Sequence, residues 1–461
     1  MEQNGNAEAG LRRGLGLFDA TMLVAGTIIG SGIFLVSSDI ARQVGSPGWL
    51  LIVWVIGAVL TMSAALSYGE LAAMMPRAGG QYVYLREAWG PVTGFLYGWT
   101  PFLVIQTGSI AAVAVAFARY LGVLVPWVSS RPLLGPISAQ HLVALALIGT
   151  LTAVNLRGIR AGKRVQNLFT LAKLAALAFL IVLGILYGSR EPVAGSGDFW
   201  ATPVGWPAFL PLLAVAMVGA LFAYDAWNNI TFTAGEVVNP RRNLPASLLL
   251  GTGLVAAVYI LINVAYVLNL PISAIQHAPG DRIATAVAHR ILGEPAEAFM
   301  AIAILIATVG SDNGMILAGS RVYYAMARDG VFFERTGRLN RHSVPGYSLA
   351  LQACWAGLLT LSGTYSDLVD YVIFAALLFY LMTVAAVFRL RRIRPDEPRP
   401  YRALGYPVLP AVYIGAACLI LVSLLFQKPQ YTVRGLAIVL AGLPAYAMWT
   451  RAKVGRRPNS R

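Results

Sequence analysis

The stretch Leu17-Phe18-Asp19-Ala20-Thr21-Met22-Leu23-Val24-Ala25-Gly26-Thr27-Ile28-Ile29-Gly30-Ser31-Gly32-Ile33-Phe34 opens an apolar run that reaches residue 43. The run is long enough to cross a bilayer, whose hydrocarbon core of roughly 30 Å takes about 20 apolar residues per helix. It also carries its own interruption: three glycines fall within seven residues, at 26, 30 and 32, and weaken a helix in its middle. Gly26 and Gly30 alone would read as a small-residue face for close helix packing. Ser31-Gly32 tips the reading toward an unwound turn. A second half-helix starting near Gly30 would then point free N–H groups and a positive dipole end at mid-membrane, a ready site for a carboxylate. The run lacks the basic start, short apolar core and small-residue cleavage site of a cleavable signal.

The rest of the chain agrees with a membrane setting. Apolar residues are 57% of the 461-residue chain and charged residues 12%, against roughly 25% charged in soluble proteins. The chain therefore reads as an all-α integral membrane protein, one polytopic domain over 1–461. Disorder, a collagen-like fibre and a disulfide scaffold are excluded by the same figures. Cys354 and Cys418 lie in apolar runs and support neither a disulfide framework nor a cysteine metal site. Twelve spans are expected, at about 17–43, 48–75, 91–125, 138–155, 165–188, 207–235, 244–270, 296–326, 345–363, 367–389, 406–426 and 432–450. The stretch 271–295 is amphipathic and reads as short surface helices.

A formal charge of +15 invites a nucleic-acid partner, but the distribution of charge argues against one. The N-terminus, the even-numbered loops and the C-terminus hold twenty-six of the 35 Lys and Arg residues, with Arg321 near the end of span 8 counted among the loop charges. These include Arg157, Arg160, Lys163 and Arg164, the run from Arg389 to Arg402, and the tail from Arg451. The odd-numbered loops hold eight. This bias is the positive-inside signature and puts both termini in the cytoplasm. The sequon Asn229-Ile230-Thr231 falls inside a span, where no glycan is expected.

A second interruption lies in span 6, at Phe222-Ala223-Tyr224-Asp225-Ala226-Trp227-Asn228-Asn229. A carboxylate and two amides at membrane depth are costly unless they face protein or water. Unwound carbonyls here would accept hydrogen bonds from an ammonium. Spans 1 and 6 each open a five-span half, 17–188 and 207–389, with 406–450 as two added helices. Broken helices at corresponding positions of two halves point to a transporter site at an inverted-repeat interface. No clear residue identity links the halves, so the repeat rests on helix order and the two breaks.

Five stretches carry a resemblance: Gly26 to Phe34 (GTIIGSGIF), Tyr68 to Tyr84 (YGELAAMMPRAGGQYVY), Phe222 to Asn228 (FAYDAWN), Glu236 to Pro245 (EVVNPRRNLP) and Ser320 to Gly330 (SRVYYAMARDG). In these the chain resembles the amino acid–polyamine–organocation superfamily, in its L-type amino-acid transporter branch and close to the bacterial members. The resemblance implies a LeuT-like fold, a 5+5 inverted repeat with helices 1 and 6 broken plus two C-terminal helices, in a bacterial inner membrane. It implies a sodium-independent exchanger of neutral L-amino acids working by alternating access. Proton-coupled uptake, or exchange of cationic amino acids or polyamines, stays open beside it. A polyamine has no carboxylate for the Gly30–Gly32 donors, which weakens that reading.

The resemblance places the substrate carboxylate on the N–H groups of Gly30, Ser31 and Gly32. It places the ammonium on carbonyls near Thr27 and Ile28, and near Phe222, Ala223 and Asp225. Phe222 is either a lid over substrate or ordinary packing. Lys173, inside span 5, either snorkels to the interface or, by resemblance, stands where sodium-dependent relatives bind sodium and couples the two broken helices. A protonation cycle at Lys173 stays open. Asp225 either caps the broken helix or reads a cationic side chain. Ala226 departs from the glycine commonly found there, and its methyl narrows the site. Trp227 and Asn228 match the motif and line the site, with packing an equal reading for Trp227. Ser311 falls near the Lys173 ammonium if the family geometry holds.

The remaining polar residues have plainer readings. Asp19 and Glu70 are expected to pair with basic loop residues. Ser311-Asp312-Asn313 interrupts span 8. His141, His277, His289 and His342 are scattered and make no metal-ligand spacing, so no metal and no cofactor is expected. No zinc-protease motif or Ser-His pairing suggests an enzyme, and a single chain with two different breaks fits a channel poorly. Eukaryotic relatives join a glycoprotein partner through a cysteine between spans 3 and 4. Residues 126–137 contain none, so no disulfide-linked heavy chain is expected. The chain is expected to act as a monomer or weak oligomer, with membrane lipid and an amino acid as its partners.

Overall fold

The computed structural model describes residues 10–190, 198–362, 365–427 and 429–454. Lys428 and the end of the basic tail beyond Val454 lie outside the described residues. The first span is two helices, α1 (Leu17–Ile28) and α2 (Gly32–Val44), bent by 45° at the break. There follow α3 (Pro47–Met74), α4 (Gln81–Trp89), α5 (Pro91–Leu124), α6 (Ala139–Leu156), α7 (Ile159–Arg190) and α8 (Trp206–Ala223). The short α9 (Asn229–Phe232) resumes span 6 after its break, and α10 (Pro240–Asn269) is span 7. Two surface helices, α11 (Ile272–Gln276) and α12 (Ile283–Leu292), fill the amphipathic stretch as expected. The rest are α13 (Ala296–Arg328), α14 (Gly346–Leu361), α15 (Tyr365–Ile393), α16 (Val408–Gln427), α17 (Pro429–Leu440) and α18 (Gly442–Val454).

Among the described residues, ten helical segments are long and apolar enough to cross a membrane, and the bent α1–α2 pair makes an eleventh. The expected ninth span is α14, with 16 residues. At ~1.5 Å per residue it covers ~24 Å, short of a roughly 30 Å core. Two local features depart from the sequence reading. A two-stranded hairpin, Pro132–Leu134 with Ile137–Ser138, sits in the loop before α6. The helix α4 occupies what reads as a plain loop between spans 2 and 3.

Prolines place several boundaries. Pro47, Pro91 and Pro240 begin α3, α5 and α10, where a missing N–H costs nothing. Pro101 lies inside α5, which widens into one π turn over Pro101–Ile105; a proline there cannot donate to the preceding turn. The helix α13 runs unbroken through the centre. Ser311, Asp312 and Asn313 do not interrupt it, because their polarity is in side chains while the backbone ladder continues. Asn313 instead joins a buried amide ladder, accepting from Asn155 Nδ2 (3.0 Å) and donating to Gln166 Oε1 (2.9 Å) and the Gly162 carbonyl (3.1 Å). This ties α6, α7 and α13 together. Gly26 lets α1 approach α7, since a Cβ at that position would overlap Thr170 Oγ1 and Gln166 Nε2.

Asp19 pairs with Lys163 at 2.7 Å and accepts from Asn167 at 2.7 Å. Glu70 takes a two-pronged contact from Arg391 at 2.9 and 2.6 Å. Both are pairs of the kind the sequence suggests. Arg321 differs from its reading as a loop charge: it is buried in α13 against Glu236, with Nε–Oε2 at 2.7 Å and Nη2–Oε1 at 2.9 Å, each side chain 1% exposed. The Glu236 carbonyl accepts from the N–H groups of Gly14 and Leu15 at 2.8 and 3.0 Å. The pair thus pins the start of α1 and the end of the second break to α13.

Removing one member of such a pair leaves a buried charge alone, at a cost of about 3–5 kcal/mol, whereas replacing both by apolar groups is often near neutral. Glu236→Ala should therefore sharply lower the thermal midpoint in detergent, and Glu236→Leu with Arg321→Met should recover most of the loss. A double variant no more stable than the single one would show that the pair is not an isolated charge balance.

Candidate functional site

At the first break, α1 ends at Ile28, Ile29 leaves the helix with φ −73° and ψ 91°, and Ser31 stands before α2. Among the described residues, no acceptor faces the N–H groups of Gly30, Ser31 and Gly32. They lie at the positive end of α2. At the second break, α8 ends at Ala223 and residues 224–228 form turns before α9. The two breaks lie back to back. A Cβ at Gly32 would stand 3.2 Å from Ala223 Cα, and Thr27 Oγ1 reaches the Ala226 carbonyl at 3.1 Å.

Of the carbonyls expected for an ammonium, those of Thr27, Ile28 and Ala223 already meet side-chain donors, and that of Phe222 accepts from the Asp225 N–H at 3.1 Å. Ser311 Oγ donates to the Thr27 carbonyl at 2.9 Å. The Tyr259 hydroxyl of α10 lies 3.2 Å from both the Ile28 and the Ala223 carbonyls. A phenol has one proton, so one hydroxyl serves an end from each break. Tyr259 also packs with Trp54 and Tyr224, ring centroids 5.5 and 5.0 Å away.

Lys173, 1% exposed, does not snorkel. Its ammonium donates to the carbonyls of Gly26 (2.8 Å), Ile29 (2.7 Å) and Ala307 (3.0 Å). Three donors meet three acceptors, which uses every N–H of the group. Lys173 therefore ties the first break to α13, while Thr27 and Tyr259 make the link between the breaks. Ser311 lies one helical turn beyond Ala307 on the same side of α13.

Phe222, Asp225, Ala226, Trp227 and Asn228 line two chambers beside the second break. One also has Thr61, Leu377 and Tyr413; the other has Gln81, Gln106, Asn229 and Met315. Asp225 and Tyr380 border both, and the Tyr380 hydroxyl donates to Asp225 Oδ1 at 2.5 Å. This bond is the partition between them. The chambers measure about 30 and 20 Å³, where ~10–15 Å³ holds one water. Neither reaches Gly30–Gly32, Lys173 or Ser311. Asn228 donates to Gln81 Oε1 at 2.8 Å, and Gln81 donates to Thr383 at 3.0 Å. Trp227 packs on Tyr68, with ring centroids 4.6 Å apart.

Tyr259, Tyr380 and Gln81 escape the sequence reading. Gln81 was visible in the Tyr68–Tyr84 motif, but its helix was not. The two tyrosines look like core residues of apolar spans, and only packing brings their hydroxyls to the breaks.

Ala226 has φ +69°, a left-handed conformation that costs a residue with a Cβ roughly 1–2 kcal/mol. Ala226→Gly should hold or raise the melting temperature, offset in part by glycine's unfolded entropy. Ala226→Val should lower it, through a loss of stability of ~1–3 kcal/mol. Equal stability of all three in a thermal-shift assay would contradict strain at this turn.

A family model described as amino acid permease matches residues 15–441. The large neutral amino acids transporter small subunit 2 of Homo sapiens is 34% identical over 452 residues, covering 96% of this chain and 81% of its own. The Mus musculus protein of the same name is 33% identical over 452 residues, covering 96% and 82%. The b(0,+)-type amino acid transporter 1 of Mus musculus is 30% identical over 451 residues, covering 96% and 89%. With two broken helices set back to back in an all but wholly helical membrane fold, and with the match running nearly end to end, the chain belongs to the amino acid permease family.

Proposed function

We propose that this protein is a sodium-independent exchanger of neutral L-amino acids that works by alternating access. The observation that carries the reading is the pairing of opposite partial charges at the breaks. Three backbone N–H groups at Gly30–Gly32 have no acceptor among the described residues, and the carbonyl ends of Ile28 and Ala223 share one phenol proton. A zwitterion suits both ends: its carboxylate takes the N–H groups, and its ammonium adds donors to carbonyls that have lone pairs to spare. The names of the relatives, one for large neutral amino acids, support this substrate class.

Lys173 supports sodium independence, since its ammonium supplies a fixed positive charge to the carbonyls of the first break. The small chambers support alternating access. An amino-acid side chain does not fit until Tyr380 leaves Asp225 or Phe222 swings aside, so binding and rearrangement are linked. In this reading the two five-helix halves, 17–188 and 207–389, form an inverted repeat, and a bundle of spans 1, 2, 6 and 7 rocks against spans 3, 4, 8 and 9. In the same reading the membrane is a bacterial inner membrane, and the positive-inside bias supports cytoplasmic termini. Residues 126–137 hold no cysteine, and the chain works without a disulfide-linked heavy chain, as a monomer or weak oligomer. Exchange of cationic amino acids is the second reading, favoured by Asp225 on the wall of both chambers. The Tyr380 bond to that carboxylate sets the structural role ahead of it.

Uptake of a labelled amino-acid panel into sodium-free proteoliposomes tests the proposal. Neutral amino acids should enter when unlabelled amino acid is inside and stall when it is not. Uptake into empty vesicles that rises at acid pH would replace the exchanger with a proton-coupled permease. Ser31→Pro tests the carboxylate site, because φ −78° at Ser31 already suits proline, so little but one donor is lost. The expected result is a rise of about tenfold or more in KM, from a charged hydrogen bond of ~1.5–3 kcal/mol.

Lys173→Ala should abolish exchange, or uncouple it from internal substrate, while the protein still inserts and runs as a single species on gel filtration. Wild-type exchange by this variant at every pH would remove Lys173 from the mechanism.

A further inference from the structure

The end of α15 and the segment after it carry Arg389, Arg391, Arg392, Arg394, Arg399 and Arg402. Arg391, Arg394 and Arg399 are matched by the protein itself, whereas Arg402, beyond the helix, has no carboxylate within 4.0 Å among the described residues. Arg391 is held by Glu70. Arg394 bonds Glu87 at 2.6 Å and Glu397 at 3.3 Å. Arg399 donates to the carbonyls of Leu390, Arg394, Pro395 and Glu397. Arg389 and Arg392 are different. Both are exposed, and among the described residues neither has a carboxylate within 4.0 Å. They stand three residues apart, so they share one helix face.

That face borders a cleft of about 510 Å³ formed by Trp89, Phe388, Arg389, Arg391, Arg392, Ile393 and Tyr406. The Arg389 guanidinium lies over the Trp89 ring, 4.8 Å from its centroid, and Arg391 lies 3.6 Å from the centroid of Tyr406. Phe388 packs against Tyr406 at 4.9 Å, and Ile393 is 50% exposed. The apolar membrane-length segment of α15 is Ile373–Ile393, so Arg392 sits in its last turn and Arg389 in the turn before, at the level where hydrocarbon gives way to headgroups. Tryptophan and tyrosine favour that same level.

We propose that this cleft binds the phosphate headgroup of an anionic phospholipid. Arg389 and Arg392 meet the phosphate, Trp89 holds the Arg389 guanidinium flat toward it, and Phe388 and Ile393 border the glycerol and upper acyl chain. The complementarity is in charge and in shape: two positive groups with no carboxylate partner among the described residues, on an apolar wall that a soluble anion would leave bare. Basic pockets beside spans at the membrane surface are suited to such headgroups. The site stands apart from the helix breaks and does not depend on which amino acid is carried. It adjoins the Arg391–Glu70 contact between α15 and α3, so an occupant would bear on how these two helices are held together.

Tryptophan fluorescence with bromine-labelled lipid tests the site. The protein would be reconstituted in phosphatidylcholine vesicles and titrated with dibrominated phosphatidylglycerol. The chain has ten tryptophans, so the signal read is the quenching component that disappears in Trp89→Phe. In the wild type this component should saturate at low anionic lipid. Arg389→Gln with Arg392→Gln should raise the lipid needed for half-quenching by ~10-fold or more, as each arginine near an anionic surface contributes about one unit of 1 kcal/mol. Arg392→Lys should keep most of the affinity. Equal quenching by dibrominated phosphatidylcholine, or an unchanged midpoint in the double glutamine variant, would overturn the proposal. Reversal of the quenching by millimolar inorganic phosphate or glycerol 3-phosphate would assign the cleft to a soluble anion and overturn the lipid assignment. Both arginines are exposed, and elution as the wild-type species on gel filtration checks that each variant is folded.

Discussion

A helix that unwinds in the middle of a bilayer leaves N–H and C=O groups where no bulk water can reach them. Irregular backbone is tolerated at that depth only where protein or a polar cavity meets it. Much of the polar architecture of this protein answers that constraint, and it answers unevenly. On the carbonyl side, Lys173 serves Gly26 and Ile29, Ser311 serves Thr27, and Tyr259 serves Ile28 and Ala223. On the N–H side, Gly30, Ser31 and Gly32 have no acceptor among the described residues. Donors supplied by side chains and acceptors withheld from the backbone leave a local excess of positive partial charge. In the proposed reading, this excess disposes the break toward a carboxylate before any residue of the chambers is considered.

The same asymmetry explains what the sequence could reveal. The breaks were legible because their cause is local: glycines at 26, 30 and 32, and a carboxylate and two amides inside an apolar run. Lys173 stood out because a lone cation in a span is costly wherever it points. Asp19 and Glu70 were readable as ion-pair partners from their place beside basic loops. The family resemblance rested on the same stretches, and the match over residues 15–441 bears it out. Tyr259 and Tyr380 were not legible. A tyrosine in an apolar span is most often a core ring, and its hydroxyl partner is fixed only by helix rotation and crossing. The acceptors of Lys173 were hidden for a like reason, since α1 and α13 lie far from α7 in sequence.

Two sequence expectations failed in instructive ways. The polar triplet at 311–313 looked like a third interruption, yet α13 is continuous. Polarity in side chains does not by itself unwind a helix: Asn155, Gln166 and the Thr27 carbonyl satisfy Asn313 and Ser311, and the helix is equally continuous at Asp312, whose carboxylate has no hydrogen-bond partner among the described residues. A missing Cβ and a turn-forming serine act on the backbone directly. Arg321 was counted with the loop charges because it lies near the end of a span. Its burial against Glu236 makes it part of the packing instead.

The distribution of contacts along α1 bears on how such a molecule could rock. Gly26 and Ile29, the Lys173 acceptors, lie at the break, while Asp19, the Lys163 partner, lies about two turns away, ~10 Å along the axis. A rotation pivoting at the break moves nearby atoms least. The three ammonium bonds of Lys173 can then persist through a small tilt that pulls Asp19 from Lys163. The Glu236–Arg321 pair, which clamps the start of α1 through Gly14 and Leu15, resists the same tilt from its far end. In the alternating-access reading, the strong and central contact is the pivot and the peripheral ion pairs are the latch. The single proton that Tyr259 shares between two carbonyls has the least to lose from a change in their spacing, because it can settle on either one.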